Sequence, residues 1–389
     1  MQQQARLRRS HGHARIVWHE YDYPARAGDL RAPPRILSPF SACGRPRMDI
    51  GPSGVYGFRL AGGKASGPIQ LQASVLLMNI QTQIISSPCV GICTMDGASS
   101  FCLGCARTAD EVAEWSSAGD VRRSAIWAVL PERIDALGIS ITRLPWPQGR
   151  IAEFVAESLR QKSGTWALGC YGATAEFMCR QDEPCDVCVT GETITAISSR
   201  GALRLTIDEQ VRALRLRADH GRHGYRAIFL VVRKARATLP VATTLTPLGR
   251  DEGGIRPECQ TDTWFDLGLG RDDLRFCIRA SAADLLDTLN QASGLPLLVV
   301  LQAAGATIMK HGPARVVESP LGRAEIYTPI PPHGRLSPDG PHTHLLPGHL
   351  ASGRATPPCI DLPPVYVLGA TFFPRAGSQG DIETCCAGQ

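Results

Sequence analysis

The chain has 389 residues, more than a single domain usually holds, so its length predicts two domains and an extension. Its composition, 43% apolar and 20% charged, is ordinary for a globular protein. No stretch approaches the roughly 18 apolar residues of a membrane-spanning helix, and the first residues lack the apolar run of a secretory signal. We therefore expect a cytoplasmic protein without a membrane segment.

The net charge of +5 belongs to the amino-terminal region. Residues 1–77 contain eleven basic and four acidic side chains, nine Gly and seven Pro, without helical or strand periodicity. We interpret them as a disordered basic extension. It is either translated upstream sequence, because Met78 offers a start, or a basic arm that contacts nucleic acid or an acidic surface. The rest of the chain has a net charge of −2, so nucleic acid is not an expected partner and the partner is unknown.

Four of the fourteen cysteines crowd into residues 89–105. They are Cys89, Cys93, Cys102 and Cys105. The spacing Cys-x3-Cys-x8-Cys-x2-Cys places two close pairs at the ends of a short loop, so four thiolates can converge on one soft metal centre. Crowded cysteines in a reducing compartment are more often metal ligands than disulfides. Structural zinc and iron–sulfur clusters both use four thiolates, so residues 78–142 are predicted to form a metal-binding module with either cofactor.

The residues after these cysteines predict two short helices. Thr108 and Glu111 fit a capping box that begins a helix through Trp115. Asp120 can cap a second helix, which Pro131 ends or restarts. The second helix has apolar residues at helical spacing, namely Ile126, Val129, Leu130, Ile134 and Leu137.

A Pro-rich linker is predicted at residues 143–150, because Pro145 and Pro147 deny the chain helical continuity. Residues 151–375 then form a larger domain, and residues 376–389 form a disordered tail. Helices are predicted at 151–161 and 282–292, and strands at 166–171, 193–197, 227–232 and 365–368. Residues 329–364, rich in Pro, Gly and His, predict a long loop. Strands and helices do not alternate regularly, so we expect an α+β fold: a small helical metal knuckle followed by a larger mixed domain.

His342 and His344 are the candidate catalytic residues of the larger domain. Alternate residues of an extended segment point to the same side, so the two imidazoles could share a metal or a substrate. Glu325 and Tyr327, in a predicted strand upstream, could add a carboxylate or a hydroxyl. The alternatives are that these histidines only cap the loop through backbone hydrogen bonds, or that they face solvent. His333 and His349 lie nearby in the sequence.

Cys179, Cys185 and Cys188 form a second, weaker group of thiols. Only three thiols are close in the sequence, so we interpret them as unpaired cysteines around an acidic loop. The chain has no Walker lysine motif, GxSxG elbow or HExxH helix, which removes several common classes of enzyme.

The stretch from Ser87 to about Leu137 resembles a small bacterial cysteine-rich family of unknown function, often labelled as predicted iron–sulfur proteins. The resemblance rests on the SPC opening, the CLGCART step and the Trp-Ser after the first helix, and it places the family's cysteines on the same four positions. Residues 150–375 are similar to an uncharacterised bacterial domain through WALGCYGATAEF, RAIFLVV, FDLGLG, VVESPLGRAEIYTPIPP and GPHTHLLP. Neither resemblance implies an activity.

Three functions are compatible with these features. The first is a cytoplasmic two-module protein that binds zinc or an iron–sulfur cluster, whose metal stabilises a segment with little core of its own. The second is an enzyme that uses His342 and His344. The third is an adaptor that binds a protein or nucleic acid through the knuckle, with Phe101 and Trp115 partly exposed.

Overall fold

The computed structural model describes residues 85–217, 227–236, 238–330, 340–358 and 360–375. All of them fall within one compact unit that spans Ser74–Gln389. The predicted extension, residues 1–77, and the predicted tail, residues 376–389, lie outside the described residues. No helix in the described ranges is both long and apolar enough to cross a membrane.

The cysteine-rich region ends in two helices, as predicted. Helix α1 spans Ala109–Glu114, and the capping box at its start is confirmed. The Glu111 amide donates to Thr108 Oγ1 at 3.1 Å, and the Thr108 amide donates to Glu111 Oε2 at 2.9 Å. Two backbone donors that a helix start leaves without partners are thereby satisfied.

Helix α2 spans Asp120–Ala136 and differs from the prediction in two ways. It runs through Pro131 without a break, and its cap is Gly119, so Asp120 is the first helical residue. A proline inside a helix costs one backbone hydrogen bond, but packing on both sides of it holds this helix together. The residues that pack there are Ala106, Ile126, Leu130 and Ile134. Val129, predicted on the same face, is 41% exposed.

The larger domain consists of two antiparallel sheets with helices at their margins, which confirms the α+β class. The seven-stranded sheet has the order β1-β7-β8-β15-β2-β3-β14, and the eight-stranded sheet has the order β4-β5-β6-β13-β12-β11-β10-β9. The strands are β1 Ile141–Arg143, β2 Gly164–Cys170, β3 Ala173–Phe177, β4 Cys185–Thr190, β5 Thr193–Ser198, β6 Gly201–Thr206, β7 Arg212–Leu216, β8 Ala227–Arg233, β9 Thr246–Arg250, β10 Thr263–Asp266, β11 Arg275–Ala280, β12 Ala314–Ser319, β13 Gly322–Ile326, β14 His342–Leu345 and β15 Tyr366–Pro374.

The helices of this domain are α3 Gln148–Gln161, α4 Ala283–Gln291, α5 Leu297–His311 and α6 Pro347–Leu350, with single turns of 3₁₀-helix at Lys234–Arg236 and Pro257–Cys259. The helices predicted at 151–161 and 282–292 are confirmed as α3 and α4, and the four predicted strands correspond to β2, β5, β8 and β15. Helix α5 was not predicted, because periodicity alone cannot assign a short continuous apolar run such as its first turn to helix or strand. The predicted loop at 329–364 is wrong in part, since it contains β14 and α6.

The sheets pack face to face, with β12 and β13 against β2 and β3. Their inner faces and α3 share one core that contains an aromatic cluster. The ring centroid of Phe154 lies 5.0 Å from that of Trp146, 6.1 Å from that of Trp166 and 5.1 Å from that of Phe372. Since Trp146 precedes α3, the residues that lead into the larger domain are part of its core.

The segment at residues 143–150 is therefore packed, unlike the linker that its prolines predicted. Strand β1 pairs with β7, and Leu144 and Trp146 are 4% and 7% exposed. Burial of these apolar side chains outweighs the local preference of prolines for an exposed connection. On the outer face of the seven-stranded sheet, Val90 packs with Phe229 and Leu368, so the cysteine-rich region also contacts this sheet. That the two regions fold as separate units stays a prediction.

Limited proteolysis can measure this packing. We expect trypsin to spare Arg143 and Arg150 while it cuts after Arg180, which lies exposed in the turn after β3. Proteases need several residues of unfolded backbone, and residues 141–150 are held by strand pairing and by buried side chains. Mass spectrometry of the early fragments identifies the sites. First cuts at Arg143 or Arg150 would instead support two independent folding units.

Candidate metal sites

The pairing of β14 with β3 places the two predicted histidines beside a glutamate. His342 lies opposite Glu176, and His344 lies opposite Thr174. Residues at alternate positions of a strand share a face, and directly opposed residues of paired strands do so too. The register therefore brings both imidazoles and the Glu176 carboxylate to one face of the sheet.

The ligand atoms of these three residues converge. His342 Nε2 lies 2.8 Å from His344 Nε2 and 3.3 Å from Glu176 Oε2, and His344 Nε2 lies 3.5 Å from Glu176 Oε1. Among the described residues, this is the one group of three or more His, Cys, Asp or Glu side chains whose ligand atoms all lie within 4.8 Å of one another. The side chains of Glu176, His342 and His344 are 18%, 13% and 25% exposed, so the group is mostly covered but reachable from solvent.

A backbone contact orients the His342 ring, and the charges of the imidazoles act on the Glu176 carboxyl. His342 Nδ1 lies 3.0 Å from the carbonyl oxygen of Gly340, which can only accept a hydrogen bond. Burial raises the pKa of the Glu176 carboxyl, but the hydrogen bond from His344 and the charges of both imidazoles lower that pKa further, so it lies below the usual value.

The other residues predicted near the histidines lie elsewhere. Tyr327 donates its hydroxyl to Glu325 at 2.7 Å, and Glu325 forms ion pairs with buried arginines of the eight-stranded sheet. His349 stacks on Tyr171, with ring centroids 4.5 Å apart. His333 lies outside the described residues. Glu176 was not predicted, although one sequence signal exists: it is a charged residue within the apolar alternation of the strand Ala-Thr-Ala-Glu-Phe.

The cysteine-rich region folds its second thiol pair into a tight turn. The amides of Cys105 and Ala106 donate to the Cys102 carbonyl at 3.3 and 2.7 Å, and Cys102 Sγ donates to the Ile92 carbonyl at 3.0 Å. Gly104 lies so close to Ile92 that a Cβ there would stand 2.8 Å from the Ile92 carbonyl oxygen. The turn therefore packs closely against the segment that carries the first thiol pair.

The four thiols differ in burial. Cys102 and Cys105 are buried, Cys89 is half-buried and Cys93 is exposed, and all four are free thiols. No three of their sulfurs lie within 4.8 Å of one another. A tetrahedral zinc site would hold its sulfurs about 4 Å apart, so this arrangement is wider than such a site.

One buried and one half-buried arginine lie near the thiols. Arg107 is 3% exposed, and its Nε donates to Cys105 Sγ at 3.3 Å while its Nη1 has no hydrogen-bond partner. On the other side, Arg143 is close enough to Cys89 for their charges to interact, and its buried Nε also lacks a partner. Burial raises the pKa of the Cys105 thiol, and Arg107 partly offsets that rise. Neither arginine was predicted as part of the site, because sequence spacing does not reveal burial.

The aromatic residues proposed for an adaptor surface are covered by arginines. The Arg133 guanidinium lies 4.7 Å from the ring centroid of Phe101, and the Arg107 guanidinium lies 5.0 Å from that of Trp115. Both rings are half-buried. This agrees with the partial exposure that the adaptor hypothesis assumed, and binding of a partner through these rings stays a prediction.

In the second predicted group of cysteines, two thiols contact each other and the third lies at the surface. Cys179 and Cys185 are in side-chain hydrogen-bond contact at the margin of the main core. Cys188 is exposed and its sulfur lies 3.6 Å from Thr190 Oγ1.

The fold and these clusters define a two-region α+β protein, in which a cysteine-rich helical segment precedes a domain of two antiparallel sheets. Residues 150–382 match a family of unknown function (DUF6925), and the chain belongs to this family. Residues 87–134 match a second family, described as a protein of unknown function (DUF1289). Neither a curated protein nor a solved structure matches the chain. The two matched ranges agree with the two regions that the sequence resembled.

Proposed function

We propose that the chain is a cytoplasmic metal-binding protein whose Cys89, Cys93, Cys102 and Cys105 hold one metal centre, either zinc or an iron–sulfur cluster. The proposal rests on the buried guanidinium of Arg107 beside Cys105. The centre stabilises the cysteine-rich region and so supports its contact with the larger domain.

A buried arginine needs an anion. Arg107 is almost fully buried, and no carboxylate among the described residues forms an ion pair with it. An isolated buried charge costs several kcal/mol, so it persists where a counter-charge lies close. The Arg107 guanidinium lies over the Trp115 ring, and its Nε donates a hydrogen bond to Cys105 Sγ at 3.3 Å. Four thiolates around one zinc ion carry a net charge of about −2, which supplies the anion that Arg107 lacks.

Arg143 supports the same conclusion from the opposite side. Arg143 is close enough to Cys89 for their charges to interact, and burial lowers the pKa of Arg143 to about 10, with the nearby Arg212 contributing. Arg107 thus contacts the last cysteine of the motif and Arg143 lies near the first, and each has one buried nitrogen without a hydrogen-bond partner. An anionic centre between them would satisfy both arginines, whereas four neutral thiols would satisfy neither.

The spacing of the sulfurs favours a cluster over a single ion. A tetrahedral ion draws four sulfurs to about 4 Å from one another, whereas in a cubane each sulfur ligates a different iron and the sulfurs lie farther apart. No three of the four sulfurs lie within 4.8 Å of one another, which is wider than the tetrahedral spacing. Hydrogen bonds to sulfur, such as that from Arg107, are also among the contacts that tune iron–sulfur clusters.

Metal analysis of the native protein tests the proposal. After anaerobic purification under reducing conditions, we expect either iron and acid-labile sulfide with visible absorption, or one zinc per four-cysteine site without it. The iron, sulfide and zinc contents and the absorption spectrum are measured on the same sample. A protein that contains neither metal, and that takes up neither on reconstitution, would contradict the proposal.

A further inference from the structure

We propose that Glu176, His342 and His344 bind a second, separate metal ion: a divalent first-row transition metal of the zinc class, held by three protein ligands with one position left open. This inference goes beyond the four-cysteine centre, because it involves other residues in another part of the fold.

The hydrogen bonds among Glu176, His342 and His344 do not satisfy all of their acceptor atoms. The Gly340 carbonyl can accept only from a protonated His342 Nδ1, so in the neutral ring, the form that binds metals, Nε2 presents its lone pair. That lone pair faces His344 Nε2 at 2.8 Å and a Glu176 carboxylate oxygen at 3.3 Å. A proton on His344 Nε2 can satisfy only part of this set of acceptors. A metal ion at the centre would satisfy all three ligand atoms.

The contact between His342 and Gly340 is also one that metal-ligating histidines typically make. Metal-ligating histidines usually donate their other ring N–H to a backbone carbonyl or a carboxylate, which fixes the ring and increases its basicity. His342 makes this contact at 3.0 Å. The strand pairing of β14 with β3 fixes the backbone on both sides of the group. The ligands are therefore largely preorganised.

The distances and the ligand types select the ion. Nitrogen and oxygen ligands at 2.0–2.1 Å around a tetrahedral zinc lie about 3.3 Å apart. The two imidazole nitrogens lie 2.8 Å apart, and each lies 3.3 or 3.5 Å from a different oxygen of Glu176, so these separations are close to that value. Calcium and magnesium prefer all-oxygen sites, whereas two imidazoles with a carboxylate suit zinc and its first-row neighbours.

The coordination is incomplete as the described residues stand. No fourth His, Cys, Asp or Glu side chain of those ranges joins Glu176, His342 and His344. His344 is 25% exposed, so a water molecule or the oxygen of a small ligand can reach the ion. Three protein ligands plus an exchangeable position are the pattern of catalytic zinc sites, whereas structural sites close all four positions.

Metal titration of the full chain tests this site. We expect chelator-treated wild-type protein to bind Co²⁺ or Zn²⁺ with one equivalent more than His344→Ala or Glu176→Gln. Loss of a ligand should weaken this equivalent at least as much as the roughly 10–100-fold that outer-shell changes cost. His349→Ala is the matched control, because His349 belongs to the same segment but stacks on Tyr171, and it should bind like the wild type.

The readouts separate this site from the cysteine centre. Cobalt bound by thiolates gives intense charge-transfer absorption, whereas cobalt bound by imidazole and carboxylate gives weak visible bands only. We expect His344→Ala to lose the weak bands and to retain the thiolate absorption. Azide, a small anionic ligand, should shift the weak bands of the wild-type protein by occupying the open position.

The same number of equivalents, with the same affinity, in wild type, His344→Ala and Glu176→Gln would overturn the proposal and would show that a proton alone holds the group together. If azide left the weak bands of the wild-type protein unshifted, the proposed open coordination position would be contradicted. Glu176→Gln keeps the shape of the side chain, so it remains informative if His344→Ala does not fold, which circular dichroism reveals.

Discussion

Replacing Cys105 with Ser should release the metal from the cysteine-rich region and loosen residues 85–136. Three thiolates seldom close a structural site, and binding free energy in such small sites is largely folding free energy, about 10–16 kcal/mol in zinc-finger peptides. Cys105 is also the thiol that Arg107 contacts, so its loss leaves that guanidinium buried without an anion. Metal content and hydrogen exchange of the amides in α1 and α2 measure the two effects.

Cys188→Ser is the control for this variant, because Cys188 is an exposed thiol of the edge strand β4. We expect it to keep the metal content and the exchange protection of the wild type. If Cys105→Ser also kept its metal, the four-cysteine centre would have to be abandoned.

Local sequence signals predicted the elements that depend on neighbouring residues. The capping box of Thr108 and Glu111 needs only residues three apart, and α3 needs only one apolar face in a single segment. Both can therefore be predicted from the sequence without knowledge of the fold. The predicted break at Pro131 failed because buried side chains on either side of the proline hold α2 together, and such packing is not a local property.

In the candidate sites too, features that depend on neighbouring residues were predicted, whereas features that depend on the fold were not. The alternation of His342 and His344 predicted that their rings share a side, but not that β14 pairs with β3. Strand pairing depends on topology. The sequence analysis therefore proposed Glu325, which is closer than Glu176 to the histidines along the chain, and missed Glu176, which lies beside the rings. Arg107 was missed for a related reason, since a guanidinium next to a cysteine motif is exposed in most proteins and only the fold buries this one.

The largest loss of stability in the larger domain is expected from Arg279→Ala. Arg279 and Arg323 form a buried group with Asp251 and Glu325 on the eight-stranded sheet, and the four side chains are at most 4% exposed. Arg279 Nη2 lies 2.6 Å from Asp251 Oδ2 and 2.8 Å from Glu325 Oε2. Removing one partner from a buried pair leaves an uncompensated charge, which costs about 3–5 kcal/mol of unfolding free energy.

A pH series distinguishes this loss from simple loss of packing around Arg279. Burial raises the pKa of the Glu325 carboxyl, but Arg323 and Arg279 lower that pKa further, so it lies below the usual value. A carboxyl with a lowered pKa stabilises the fold above its unfolded pKa, about 4.3, and this contribution is lost as the pH falls through the folded pKa. In Arg279→Ala the pKa of Glu325 rises toward its unfolded value, so this carboxyl contributes less stability at pH 7 and the loss of stability on acidification should be smaller than in the wild type.

Chemical denaturation at pH 7 and across the acid range measures both effects. Arg122→Ala is the matched control, because Arg122 pairs with Glu114 at the surface, with side chains 51% and 37% exposed. Exposed pairs contribute about 0–1 kcal/mol, so this variant should lose little stability and keep the acid profile of the wild type. An Arg279→Ala variant within about 1 kcal/mol of the wild type would mean that water or a rearrangement compensates Asp251 and Glu325, and that this group does not stabilise the sheet as its burial implies.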